Sequence, residues 1–169
     1  MKKIRLVLST SVLLVILCAC ATAQFPQSWS GTWKGTMHIY RSGKLVDSVD
    51  VTHIIKPSDR AGSYVWRTEY RSAMNPMVKD YVLRTKDAEK GIYVIDEGEG
   101  LELISYLMGG RLFSTFEVKG IMLTANYEMK GSELVFEVTS GKKDSATGGG
   151  VINYAVTSLQ RVVLRKSGD

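Results

Sequence analysis

Residues 63–71 read SYVWRTEYR. Successive side chains of an extended chain point to opposite faces. Tyr64, Trp66, Thr68 and Tyr70 therefore share one side, and Val65, Arg67, Glu69 and Arg71 share the other. The charged side belongs in water, so the aromatic side faces a core. The same period of two recurs in segment after segment from Ser30 onward, with no window of helical period. It predicts about ten strands, at 31–40, 47–56, 63–71, 79–86, 91–97, 101–108, 111–118, 122–129, 133–139 and 154–165. The turns between them are short and rich in Gly, Asp, Asn and Ser, as tight reversals require, whereas a parallel return would need a crossover of a dozen residues or more. Successive strands must then pair as hairpins. A meander this long either splits into two packed sheets or closes on itself, and closure removes the exposed edges. The expected fold is all-β, an up-and-down antiparallel β-barrel of about ten strands, lipocalin-like in form. A two-sheet sandwich is the alternative.

Alternation also predicts the lining. It turns Trp33, Met37 and Ile39 inward on the first strand, Val49, Val51, His53 and Ile55 on the second, and Tyr81 and Leu83 on the fourth. On the eighth it selects Leu123, Ala125, Tyr127 and Met129, and on the ninth Leu134, Phe136 and Val138. The fifth and sixth strands are apolar on both sides and stay unassigned. Packing alone would favour Val, Ile and Leu, yet this lining holds several tyrosines, a tryptophan and a histidine. Barrel diameter grows with strand number, and about eight strands already suffice for one small ligand, so ten should leave a cavity. The ligand-binding candidates are Tyr64, Trp66, Tyr70, Tyr81, Tyr127, Phe136 and His53, an apolar wall with a few polar handles. The plainer reading gives these rings to a packed interior, their hydroxyls bonded to backbone or water.

The first 23 residues read as a secretory leader: Lys2, Lys3 and Arg5, an apolar run from Leu6 to Cys20, then the small-residue site Ala21-Thr22-Ala23. Removing 23 of 169 residues leaves 146, a length that suits one barrel domain over 24–169. The leader takes three of the 22 basic residues, so 19 basic face 17 acidic side chains and the +5 of the whole chain falls to +2. The remaining charge is scattered, which gives nucleic acid little reason to bind. Both cysteines, Cys18 and Cys20, lie in the leader, so the barrel has no disulfide and no cysteine metal site. Leu17-Cys18-Ala19-Cys20 also resembles a bacterial lipobox, whose last cysteine is lipidated. The expected location is periplasmic or extracellular, with no transmembrane segment once the leader is gone. An outer-membrane lipoprotein anchored at Cys20 is the minority alternative.

Gly31-Thr32-Trp33-Lys34-Gly35 on the first strand, with Arg161 on the last, resembles the calycins: lipocalins, fatty-acid-binding proteins and their bacterial barrel relatives. The resemblance implies a barrel floor closed by Trp33 with Arg161 packed across it, Arg165 being a second candidate for the arginine. A guanidinium stacked on an indole stabilises by about 0.5–2 kcal/mol in any case. The chain departs from the fatty-acid-binding branch, which has a helical lid after its first strand, and from the lipocalin branch, which has eight strands and a C-terminal helix. Ten-stranded nitrobindin-type barrels are closer in shape. Those hold haem through a histidine near the C-terminus, and only His38 and His53 occur here, so haem is disfavoured and no cofactor or metal is expected.

A hairpin centred on Gly43 with inward residues opposite one another pairs His53 with Trp33, near the floor. A lone imidazole is a poor metal site, and hydrogen bonding to its neighbours is the plainer role. His38 shares the outward face with Lys34 and Thr36 and has no assigned part. The acidic run Asp96-Glu97-Gly98-Glu99-Gly100-Leu101-Glu102 lacks the spacing of a calcium loop and reads as a solvated hairpin tip. No nucleophile elbow, zinc, phosphate-loop or dinucleotide signature occurs. The leading expectation is an exported barrel whose partner is a small apolar or amphipathic molecule. A filled barrel serving as a cell-envelope interaction module, through its outer surface or the loop from Met74 to Val78, is the second. A cavity enzyme using Tyr81, Lys79 or His53 is the third and requires those side chains to converge.

Overall fold

The structure, a computed structural model, describes residues 24–144 and 149–168. The leader 1–23, with Cys18 and Cys20, lies outside the described residues. Ten strands follow a single 3₁₀ turn at Gln27–Trp29: β1 (Gly31–Arg41), β2 (Lys44–Pro57), β3 (Ser63–Arg71), β4 (Met77–Asp87), β5 (Ile92–Gly98), β6 (Leu101–Met108), β7 (Arg111–Val118), β8 (Ile121–Lys130), β9 (Glu133–Lys143) and β10 (Tyr154–Lys166). Each pairs antiparallel with its neighbours in sequence, and β1 pairs with β10 to close the ring. The architecture is an all-β, up-and-down closed barrel and not a sandwich.

Two strands run well past the residues where alternation is readable. β2 begins at Lys44 because Ser42 and Gly43, both at positive φ, make a two-residue turn; the exposed residues 44–48 carry no alternation that could reveal it. β9 continues to Lys143, and its Gly141 lies flush against the Ala155 backbone of β10, where a Cβ would collide. The register of β1 and β2 sets Trp33 opposite His53. The ladder between β6 and β7 is the shortest, three pairs from Tyr106 and Phe113 to Met108 and Arg111. Beyond it, Ser105 Oγ and Ser114 Oγ meet inside the wall, and from there to the Leu101 and Val118 ends the two strands have no paired residues.

The barrel has two unlike ends. At the closed end, residues 24–30 tuck beneath the strands. The Phe25 ring meets Trp29 edge-on at 4.6 Å and Tyr93 at 4.8 Å. Trp33 Nε1 donates to the Trp29 carbonyl at 2.9 Å, and Tyr64 Oη donates to Gln27 Oε1 at 3.1 Å. Trp29 of this plug is buried, and Trp33, Ile55, Trp66, Leu83 and Leu134 are buried above it. β5 and β6 resolve as well, with Tyr93, Ile95, Leu103 and Leu107 in the core. The opposite end carries the turns after β1, β3, β5, β7 and β9 and is the open one.

The closing arginine is corrected. On β10, Val162 and Leu164 are core residues, so Lys166 follows on the inward face and Arg161 and Arg165 point outward. Arg161 pairs with Glu137 at 3.4 Å and Arg165 with Glu133 at 3.0 Å, both on the outer wall. Lys166 stands opposite Trp33 in register, its Nζ 5.6 Å from the indole centroid, and its stem crosses over Gly31. A cation does lie on the floor tryptophan, and it is an ammonium.

Candidate functional site

The interior is fuller than a ten-strand ring suggests, because aromatic side chains and the 24–30 plug occupy the closed half. Tyr127 stacks on Phe136 at 4.2 Å and on His53 at 5.3 Å, while Trp66 meets both His53 and Tyr127 edge-on. His53 Nδ1 bonds to Thr68 Oγ1 at 2.9 Å, and His53 Nε2 and Trp66 Nε1 have no hydrogen-bond partner among the described residues. Full burial pulls the His53 pKa down to about 3, opposed in part by the Arg67 backbone. The imidazole is neutral at any physiological pH.

Toward the open end this aromatic wall stops and a cavity of about 80 Å³ remains, bounded by Thr68, Ile95, Leu103, Phe116, Leu123 and Ala125. Tyr70, Tyr81, Lys79 and Glu97 complete its rim. Above it a depression of about 420 Å³ shares Lys79, Glu97, Phe116 and Leu123 and adds Val118, Lys119, Ile121 and Ser140. Strand parity puts the polar group there: Lys79 and Tyr81 precede Leu83 on the inward face of β4, and Glu97 follows Tyr93 and Ile95 on β5. Lys79 Nζ lies 5.9 Å from the Tyr81 ring centroid. Burial, with the Glu97 charge, pushes the Tyr70 hydroxyl up to about 12. Burial, then hydrogen bonding to the Glu97 carboxylate, raises Tyr81 as well. Both phenols stay protonated and are hydrogen-bond donors. The rim thus offers the Tyr70 hydroxyl and the Lys79 ammonium as donors, beside a Glu97 carboxylate that accepts from Tyr81.

Of the residues singled out from sequence, Tyr70, Tyr81, Tyr127 and Phe136 line the cavity. His53 and Trp66 belong to the packing behind it, and Tyr64 belongs to the closed end. Lys79 and Tyr81 share the cavity, and His53 does not join them. Glu97 and Phe116 are site residues that sequence reading missed. The acidic run is not one solvated tip: Asp96 and Glu102 face out onto Arg84, and Glu97 turns in. Its odd-numbered partners Tyr93 and Ile95 carried the signal. His38 bonds to Ser48 on the outer face. That face is charged along most of its length, with Arg67 on Glu69 and Asp80, and Arg111 on Glu128. Among the described residues no helix is long and apolar enough to cross a membrane, and no cluster of metal-ligating side chains occurs.

The chain is a closed ten-strand up-and-down β-barrel with an indole at the base of its first strand, the barrel form that the resemblance to the calycins implies. In structure the chain is similar to a Nostoc punctiforme protein of unknown function from the DUF3598 family, at 15% identity and a TM-score of 0.57; the match covers 82% of this chain and 47% of that one, so this chain spans about half its length. It also matches two point mutants of the fluorescent protein UnaG, at 14% and 17% identity with TM-scores of 0.45 and 0.46, covering 83% and 85% of this chain and 97% and 99% of theirs. No family model and no curated protein matches the sequence.

Proposed function

We propose that the protein is an exported binding barrel that seats a small amphipathic molecule at its open end. The apolar part rests on Phe116, Leu123 and Phe136, and the polar part meets Tyr81, Lys79 and Glu97. One observation carries this reading: inward-facing Lys79 and Glu97 sit at the mouth of a cavity whose wall is largely apolar, Ile95, Leu103, Phe116, Leu123 and Phe136 among it. Both are half-buried there, where outward placement on the wall would have left them in open water. A cavity of about 80 Å³ falls short of the roughly 300 Å³ of ordinary ligand pockets, so the ligand lies partly in the depression above it. The export half rests on the leader sequence, and the mass of the mature protein tests it: a start at Gln24 supports ordinary cleavage, and a lipid-modified Cys20 supports anchoring.

Native mass spectrometry of the gently purified protein, followed by titration with the amphiphilic anion 1-anilinonaphthalene-8-sulfonate, tests the binding half. A retained small-molecule mass, or one saturable dye site weakened at least tenfold by Ala125→Leu, is expected. Ala125→Leu fills the cavity from its own wall. Absence of both a retained mass and saturable binding would refute it, as would dye binding indifferent to that substitution.

A further inference from the structure

Opposite charges on the outer wall close onto one another: Arg84 reaches Asp96 and Glu102, and Arg67 reaches Glu69 and Asp80. The two charges that line the cavity do not. Lys79 and Glu97 are its only charged lining side chains among the described residues. Among those residues, no acidic oxygen lies within 4.0 Å of Lys79 Nζ and no basic nitrogen within 4.0 Å of the Glu97 carboxylate. What each rests on holds them apart. The Lys79 ammonium stands over the Tyr81 ring, 5.9 Å from its centroid. The Glu97 carboxylate accepts from the hydroxyl of that same ring. One phenol thus separates a cation at its face from an anion at its edge, and both charges keep hydrogen-bonding capacity to spare.

We infer that this mouth selects an uncharged headgroup with a hydrogen-bond acceptor beside an N–H donor, a carboxamide, carried on an apolar body. The inference rests on the binding function proposed above and names the chemistry of its ligand. An amide carbonyl accepts from Lys79 and from the Tyr70 hydroxyl, while its N–H donates to the Glu97 lone pairs that Tyr81 leaves open. Hydrogen bonds to charged groups are the stronger kind, and an amide makes one to each. A carboxylate in the same place gains Lys79 but meets Glu97 as a like charge; an ammonium gains Glu97 but meets Lys79. For either ion attraction and repulsion oppose one another, and the ion still gives up its hydration on entering. The neutral amide gives up far less. Charges farther out leave this balance standing: Lys119 lines only the outer depression, and Lys119, Glu99 and Glu117 are exposed, in water whose salt screens them.

Isothermal titration calorimetry of the purified protein at pH 7.5 with octanamide, octanoate and octylamine compares three heads on one chain length. Octanamide is expected to bind at least tenfold tighter than either ion. Glu97→Gln removes the anion and leaves Lys79 unopposed, so octanoate should gain on octanamide at least tenfold. Lys79→Met leaves Glu97 unopposed and should bring the same gain to octylamine. Side chains that only propped the wall would weaken all three ligands together when replaced, so the change of rank is the diagnostic readout. Melting temperatures check both variants; should either unfold, the wild-type ranking decides alone. An ion that binds the wild type as tightly as octanamide overturns the inference, as does a folded Glu97→Gln variant with an unchanged ratio of octanoate to octanamide affinity. So does failure of all three to bind while the dye still finds a saturable site sensitive to Ala125→Leu. If that dye site and a retained mass are missing too, the binding function itself fails and this inference with it.

Discussion

Acid should unfold this protein through His53, by an amount the structure sets. The imidazole is buried in the folded state with its pKa near 3, against an ordinary value of 6.5. Between those two values the unfolded chain holds a proton that the folded chain refuses. The unfolded state binds more protons there, so stability falls as the pH drops below 6.5 and the loss is complete near 3. Each unit corresponds to about 1.4 kcal/mol, so going from pH 7 to pH 4 removes about 3 kcal/mol, a large share of the 5–15 kcal/mol typical of a domain. With a urea slope of about 2 kcal/mol per molar, the midpoint moves down by about 1.5 M. Asp87, whose carboxyl Lys90 holds low, and Glu128, which Lys130 and Arg111 hold low against its burial, lose stability in the same direction as acid protonates them. Comparison with His53→Gln separates these contributions, because both carboxylates remain in the variant and its amide still reaches Thr68. Urea melts followed by tryptophan fluorescence at pH 7, 5.5 and 4 should show the two proteins diverging by about 3 kcal/mol toward acid. Parallel curves, or a His53 imidazole proton resonance, assigned by its loss in His53→Gln, that titrates near 6.5 in the folded protein, would refute the reasoning.

The closed end yields two further predictions. Trp33→Ala should cost about 3–5 kcal/mol as a large buried ring is lost, whereas Arg161→Ala, which breaks only an exposed pair with Glu137, should cost less than about 1 kcal/mol; equal losses in thermal melts would return the closing role to the arginine. Gly35→Ala should cost about 1–3 kcal/mol because its new Cβ runs into the Val163 carbonyl, while Gly168→Ala, with open space around it, should melt with the wild type.

The fold was legible because strand alternation is a local property and hairpin connection follows from loop length. Tyr64 to Tyr70 reveal an inward face on their own, and short turns leave only neighbour-to-neighbour pairing, so strand order and the meeting of Trp33 with His53 follow by counting. The closing cation was misread because the arginine came from the family resemblance while parity on β10 was left unused: Val162 and Leu164 point to Lys166. The size of the cavity was not legible at all. Strand number sets a ring's diameter, but how much of it is filled depends on where Phe25 and Trp29 go, and a segment with no period gives no sign that it folds back under its own barrel. Glu97 was hidden for a related reason, since a run of acids looks uniform in sequence and only the pleat divides it into two faces.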